Sequence, residues 1–287
     1  MLNIKPKRQT LKFFSKTGMY IMLIVISIIM LYPYLWSISA SFKEDTQLYN
    51  GNPLDLIPSP FTMENYERAL TVLPFGRFLL NSLITSTVVP FFMICISTLA
   101  AYAFARMNFA GKNFIFLLLL GVMMMPGHIT LIPKYSLMRM LGWIDTYQAL
   151  IIPQIFSANI VFNLFFMRQF YLSFPKELEE AAIIDGCSRF KIFTKIILPN
   201  SKPALATIAI ISFKNQWNSL LWPLVVINDY KKMPIQVGLT YLQTNVDASW
   251  GALIAGATLS IVPVILIFII FQRYFVNGML SSGLTGR

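Results

Sequence analysis

Residues 173–199 read Ser173-Phe174-Pro175-Lys176-Glu177-Leu178-Glu179-Glu180-Ala181-Ala182-Ile183-Ile184-Asp185-Gly186-Cys187-Ser188-Arg189-Phe190-Lys191-Ile192-Phe193-Thr194-Lys195-Ile196-Ile197-Leu198-Pro199. The pattern is that of two short helices with a break between them. Ser173 is placed to cap the first helix, and Pro175 suits its first turn. Glu177, Glu179 and Glu180 fall where the helix dipole is positive. Gly186 supplies the left-handed residue that ends this helix. Ser188 is placed to cap the second helix, and Pro199 to end it. Leu178, Ala181 and Ala182 share one face by i, i+3, i+4 spacing, as do Phe190, Phe193 and Ile197 on the second helix. Two apolar stripes beside a glutamate cluster make a docking element for a partner's groove.

The chain on either side of this hairpin is far less polar. Of 287 residues, 56% are hydrophobic and 12% charged, with a mean hydropathy of +0.64. A soluble domain carries about 25% charged residues. This composition excludes a soluble enzyme, a disordered chain and a nucleic-acid module. A membrane-crossing helix needs about 20 apolar residues. Six stretches approach that length: Gly18–Ser41, Phe78–Ala105, Phe114–Leu131, Gln148–Met167, Ala204–Ile227 and Gly251–Phe271. The apolar run of the first, Met19 to Leu35, exceeds the roughly 7–15 residues of a signal-peptide core, so it is expected to remain as a span. With both termini inside, the inner segments hold 15 of the 23 Lys and Arg residues and the outer segments 7. That imbalance favours cytoplasmic termini. It also explains the net charge of +11 as topology, so no nucleic-acid partner is expected.

No Asp or Glu falls within the six stretches. An ion-coupled transporter usually employs an intramembrane carboxylate or unwound backbone near the midplane, so an autonomous secondary transporter is disfavoured. One His, His128, and two separated cysteines, Cys95 and Cys187, leave neither a metal set nor a catalytic constellation, which disfavours a membrane enzyme. There is no P-loop, so the chain has no such means of holding ATP. Pro126 and Pro133 mark helix interruption. Gly251–Ala255 and Ala252–Gly256 are small-residue pairs suited to close helix approach. Lys214, the one charge within a stretch, begins the polar patch Lys214-Asn215-Gln216-Trp217-Asn218. Such a patch either lines a hydrophilic pathway or partner interface, or reflects a snorkelling Lys214 or a helix interruption.

Glu180-Ala181-Ala182, three residues, Gly186, nine residues, Ile196, one residue and Leu198-Pro199 resemble the EAA loop of ABC importer membrane subunits. Asn81-Ser82-Leu83, Ala101 to Arg106, Trp217-Asn218 and Leu221-Trp222-Pro223-Leu224 are similar to the carbohydrate-uptake subfamily of maltose and multiple-sugar type. Trp250-Gly251-Ala252, Gly256 to Ser260 and Gln272 to Val276 add to the likeness, which looks most like the shorter member of a heterodimeric permease pair.

The resemblance implies an all-α integral-membrane fold with six transmembrane helices, type I ABC importer permease architecture and both termini in the cytoplasm. Residues 1–17 would form a cytoplasmic tail. Residues 18–287 would form the permease domain, with the coupling loop at 173–199. Location in the inner (plasma) membrane of a prokaryote follows. The implied partners are membrane lipid, a second homologous permease subunit, two copies of a cytoplasmic ATPase and an extracytoplasmic solute-binding protein. ATP and Mg²⁺ would sit on the ATPase, with no cofactor, metal or catalytic residue on this chain. Closure of the ATPase pair on ATP would pass through the coupling loops, and the permease would receive the captured sugar. Glu180 would contact a basic ATPase residue, and Ala181 and Ala182 would allow close docking. Gly186 would supply the turn, assisted by Asp185, while Ile196, Leu198 and Pro199 complete the motif. Asn215, Gln216, Trp217 and Asn218 are candidate translocation-pathway residues, and the loop Asn228–Ser249 would face the binding protein. Import of glycerol 3-phosphate or another polar solute by the same architecture is the alternative.

Overall fold

The computed structural model of the chain describes residues 6–52, 54–72, 74–244 and 249–284, with side chains between residues 16 and 272. Helices account for about four fifths of it. They are α1 (Pro6–Ala40), α2 (Asp45–Asn50), α3 (Glu64–Thr71), α4 (Phe75–Arg106), α5 (Lys112–Met124), α6 (Leu131–Met140), α7 (Tyr147–Ile155) and α8 (Ala158–Leu172). Then come α9 (Glu177–Ile184), α10 (Arg189–Ile192), α11 (Leu198–Asn200), α12 (Lys202–Trp217), α13 (Leu221–Val226), α14 (Ile235–Thr244) and α15 (Trp250–Leu284). The β-pairing among the described residues is an isolated bridge, Lys43 to Phe61.

Four segments are long and apolar enough to cross a membrane: Lys16–Ala40, Phe75–Arg106, Tyr147–Leu172 and Trp250–Gln272. The other two expected spans are broken. The third was expected to run through Leu131, yet α5 stops at Met124 and the chain turns by 94° into residues 127–140. Met125 is extended because the ring of Pro126 disfavours helical backbone in the residue before it. The fifth was expected to run to Ile227, yet α12 stops at Trp217 and the chain resumes helix only at Leu221. Sixteen residues of α12 reach about 24 Å, short of a full crossing. A bend of 78° precedes it.

The chain divides into two compact units. The first comprises Met1–Val72 and Leu242–Leu259. Its α1 starts at Pro6, so the expected tail is helical from that residue, while residues 1–5 lie outside the described residues. Much of the apolar surface of α1 from Met19 to Leu35 is exposed, as a lipid-facing helix requires. After α1, Asn65 on α3 donates to the carbonyls of Ser41 at 3.0 Å and Lys43 at 2.7 Å. The buried Lys43 donates its ammonium to the carbonyl of Asp55. Gly251, at the start of α15, lies against the Asn65 amide with no room for a Cβ. At Gly251 the close approach is to a polar side chain. Asp247, and the side chains of the Arg273–Val276 stretch that carried part of the resemblance, lie outside the described residues.

The second unit comprises Leu73–Tyr241 and Ser260–Arg287. Its axis is α4, which packs on α7, α8 and α12. Ala101, Tyr102, Leu164, Met167, Tyr171, Ile192, Ile197 and Ile208 form its main core cluster. Buried polar groups in a membrane protein find partners within the chain. Asn163 on α8 donates to Ser212 on α12 at 2.9 Å, joining two helices in this way. At the N-terminal end of α4, Asn81 donates to the carbonyls of Lys231 and Met233, each at 3.0 Å, and accepts from Tyr147 at 2.8 Å. Ser82 accepts from the amide of Ile235 at 2.7 Å. Gly238 sits against the ring of Phe78 where a Cβ would collide. Asp145 holds the same segment from another side, with a left-handed φ of 61°. Its carboxylate accepts the amides of Asn228 at 2.5 Å and Asp229 at 2.9 Å, and Lys232 donates to its carbonyl at 2.8 Å.

Two outcomes follow from this frame. Asn81→Ala would strip donors from two carbonyls, a loss of about 1–3 kcal/mol for each group left unsatisfied. Amide exchange across residues 228–235 is expected to rise, with exchange across 177–200 unchanged. Partial burial pushes the Asp145 carboxyl up, but the amides of Asp229 and Asn228 and the charge of Lys232 outweigh this and hold it below the ordinary carboxylate value. Its stabilisation is therefore full above the ordinary carboxylate pKa and is lost as pH falls through the lowered one. Exchange across 228–232 should rise in that acid range, and Asp145→Asn should show the raised exchange already at neutral pH.

Candidate functional site

The hairpin of residues 173–199 forms as two short helices, but its caps are not all those expected. Ser173 donates to the Phe170 carbonyl at 2.7 Å and closes α8 instead of opening α9. Lys176 holds the N-cap position of α9 without a side-chain cap. The three glutamates of the first turn meet the unpaired amides electrostatically. The far end of α9 is as read. Gly186 has φ +76°, its amide donates to Ile183 at 3.0 Å, and that of Cys187 donates to Ala182 at 2.9 Å. This is a Schellman ending. No atom lies within 4 Å of a Cβ placed on Gly186, so backbone conformation alone asks for glycine. Ser188 caps α10 by accepting the Lys191 amide at 3.3 Å.

Pro199 does not end the second helix. It lies inside α11, after a π-helical turn at Phe193–Ile197. A proline cannot donate to the carbonyl four residues back, and its ring crowds that carbonyl. The turn before it is widened, with the Leu198 amide donating to Phe193. The chain breaks two residues later at the buried Ser201, whose hydroxyl donates to Ile197 at 2.6 Å.

The expected apolar faces are divided. On α9, Ala182 is buried while Leu178 and Ala181 are exposed, and the residue sharing the inner face with Ala182 is Glu179. On the second helix Phe193 and Ile197 enter the core, with Ile196 and Leu198 packed beside it, while Phe190 is 67% exposed. The outer surface of α9 therefore presents Leu178, Glu180, Ala181, Ile184 and Asp185, while Phe190 of α10 lies beside Leu99 and Met107. This is an apolar surface edged by carboxylates.

Glu179 is the residue that sequence reading passed over. It pairs with Arg106, the last residue of α4, at 2.9 Å, with both side chains about 95% buried. Tyr102, one turn back on α4, donates to its other oxygen at 3.2 Å, and Arg189 of α10 approaches to 3.7 Å. Arg106 also donates to the carbonyls of Tyr171 and Phe174, each at 2.6 Å. One guanidinium thus ties the end of α8 and the inner face of α9 to α4. The i, i+3 relation of Glu179 to Ala182 carried a signal of this inward face. Beside the pair opens a cleft of about 230 Å³ lined by Asn108, Lys176, Glu180, Ile183 and Arg189.

The polar patch lies elsewhere, at the C-terminal end of α12. Trp217 is buried and stacks on Phe213 at 5.6 Å between ring centroids. Lys214, Asn215 and Asn218 are exposed and Gln216 is half-buried. The patch marks the helix interruption, with Asn218 donating its amide to Lys214 at 3.1 Å. The structure does not bring these residues together with the hairpin.

Comparison with known proteins places this geometry. Residues 74–281 match the family described as binding-protein-dependent transport system inner membrane component. The arabinooligosaccharides transport system permease protein AraQ of Halalkalibacterium halodurans is 40% identical over 91% of this chain and 93% of its own length. The trehalose/maltose transport system permease protein MalG of Thermococcus litoralis is 36% identical over 92% and 94%. The sn-glycerol-3-phosphate transport system permease protein UgpE of Brucella abortus is 34% identical over 92% and 95%. In fold, a chain from the crystal structure of a bacterial ABC transporter involved in the import of the acidic polysaccharide alginate superposes with a TM-score of 0.77. It is 23% identical and aligns over 96% of this chain and all of that one.

Removing one partner of a buried ion pair leaves a charge uncompensated and costs about 3–5 kcal/mol. Arg106→Ala is expected to free α9, read as new protease cleavage near residues 174–187 with the spans still inserted. Lys at position 106 should restore only part of the protection, since it lacks the fork that reaches three acceptors at once.

Proposed function

Because the chain belongs to the family of binding-protein-dependent transport system inner membrane components, it is a multi-pass inner-membrane permease subunit of an ABC importer, and we propose that its cargo is a carbohydrate of oligosaccharide type. The observation that carries the cargo class is 40% and 36% identity, over 91% and 92% of this chain, to permeases named for arabinooligosaccharides and for trehalose and maltose. Glycerol 3-phosphate is the second reading, from the relative named for it.

The chain pairs with a second, homologous permease subunit. Two cytoplasmic ATPase subunits hold ATP and Mg²⁺, and an extracytoplasmic binding protein delivers the solute. This chain catalyses no reaction itself. Both termini lie in the cytoplasm, on the side of the 173–199 hairpin, as the distribution of Lys and Arg favours.

Coupling runs through the outer surface of α9 and α10. Glu180 is exposed beside the 230 Å³ cleft and offers its carboxylate to a basic ATPase residue. Leu178, Ala181 and Phe190 bury apolar area against the same partner, and the small Ala181 permits close approach. Asp185 and Gly186 set the turn that aims this surface. Ile196, Leu198 and Pro199 anchor the hairpin to the core and to the bend before α12. When the ATPase pair closes, the push on α9 passes through Glu179 and Arg106 to α4, and through the π turn to α12. Asn215, Gln216 and Asn218 at the broken end of α12 offer amide groups to a passing sugar, with Trp217 supporting them from within.

Glu180→Ala and Gly186→Asp are expected to leave membrane insertion intact. Loss of one charge-assisted contact should lower ATPase retention and uptake about tenfold or more, and an Asp at left-handed φ adds a local cost of about 1–2 kcal/mol. Normal uptake in both variants would remove the coupling role. Competition of labelled maltooligosaccharide uptake in vesicles by arabinooligosaccharide, and not by glycerol 3-phosphate, is the expected cargo result.

A further inference from the structure

The second unit carries a basic cleft that the coupling role does not use. It has a volume of about 480 Å³ and lies where α4 ends, α5 begins and α8 ends. Asn108, Phe109, Gly111, Lys112, Asn113 and Arg168 line most of it, with no carboxylate in the lining. Neither Lys112 nor Arg168 has a carboxylate partner among the described residues. Arg168 is held in place from behind. Its Nε donates to the Phe104 carbonyl at 3.2 Å and its guanidinium lies 4.3 Å from the Phe116 ring centre. Lys112 is steadied by donation to the Met107 carbonyl at 2.7 Å.

The cleft also receives the start of α5. That helix has no acidic residue in its first turn and no side-chain cap, and Gly111 precedes it at φ +76°. A lysine at the positive end of a helix is unfavourable without an anion nearby. Two like charges and a helix N-terminus therefore converge on one space without a counter-ion from the chain. The apolar surroundings select the source of the anion. Phe109 and Leu172 on the rim are 40% and 44% exposed, and Phe114, Leu117 and Leu118 along α5 are 65%, 66% and 57% exposed. A soluble anion has no use for that surface, whereas acyl chains do.

We propose that this cleft binds the phosphate headgroup of an anionic phospholipid of the cytoplasmic leaflet, with its chains lying along α5. Basic pockets between spanning helices on the cytoplasmic side bind such headgroups. The leaflet assignment rests on the orientation given above, and the binding chemistry does not. Asn108 lines both this cleft and the one beside Glu180, so a bound headgroup stands next to the coupling hairpin.

The test uses the assembled importer purified in mild detergent, incubated with phosphatidylglycerol or phosphatidylcholine and read by native mass spectrometry for retained lipid. The wild type is expected to keep one phosphatidylglycerol more per copy of this chain than Lys112→Gln/Arg168→Gln. The double variant should bind it about 30-fold more weakly for the two lost cations. Arg168→Lys, which keeps the charge, controls for misfolding and should retain most of the binding. Excess inorganic phosphate should not displace the lipid. Equal retention of both lipids, retention unchanged in the double variant, or displacement by inorganic phosphate would overturn the proposal. Loss of the ATPase or of the second permease subunit from the double variant, with lipid retention unchanged, would instead make the cleft a subunit contact. Labelling of the termini from either side of the membrane reads the orientation separately, so failure there is distinguishable from failure of lipid binding.

Discussion

The ion pair between Arg106 and Glu179 joins α4 of the second unit to the hairpin of residues 173–199. A charge pair taken out of water costs several kcal/mol per ion unless geometry and further hydrogen bonds repay it. Here the Nε–Oε1 contact is an ion pair without a hydrogen bond, and the other donors and acceptors around the two groups carry the repayment. Arg106 meets a carboxylate and two carbonyls, and Glu179 meets Arg106, Tyr102 and Arg189. Such a cluster resists partial disruption, because each partner left alone is a buried charge. The consequence is mechanical. A short helix of eight residues has little stability of its own. Bound at its inner face to a 32-residue helix, it becomes a lever attached to the fold.

The same logic distinguishes the two faces of the hairpin. Inside, specificity comes from charge and shape, with Ala182, Phe193 and Ile197 packed into the core. Outside, Leu178, Ala181 and Ile184 leave apolar area exposed beside Glu180 and Asp185. An exposed apolar patch rimmed by polar groups marks an interaction surface. A carboxylate in its midst adds orientation and partner choice more than raw affinity.

Broken helices recur where the chain changes direction. Pro126 stops α5, Pro199 widens the turn before α12, and α12 ends at Asn218. Each break frees backbone groups that hydrocarbon does not satisfy, so such breaks belong where protein or water covers them. The α12 break coincides with exposed Lys214, Asn215 and Asn218, which fits a water-lined surface and relieves the cost of a lysine in lipid.

Much of this was open to reading from the chain alone, since apolar length, cap chemistry and fixed spacing act locally. The long apolar spans, the left-handed Gly186, the Ser188 cap and the motif from Glu180 to Pro199 all follow from neighbours a few residues apart. What tertiary structure decided depends on distant partners. Two adjacent glutamates, alike in sequence, take opposite roles because Arg106 waits on one side of α9 and open surface lies on the other. Asn81 and Ser82 stood out only by resemblance, and their purpose emerges from carbonyls and an amide about 150 residues away. Local sequence sets which conformations each segment prefers, and burial of charge selects which segments must meet.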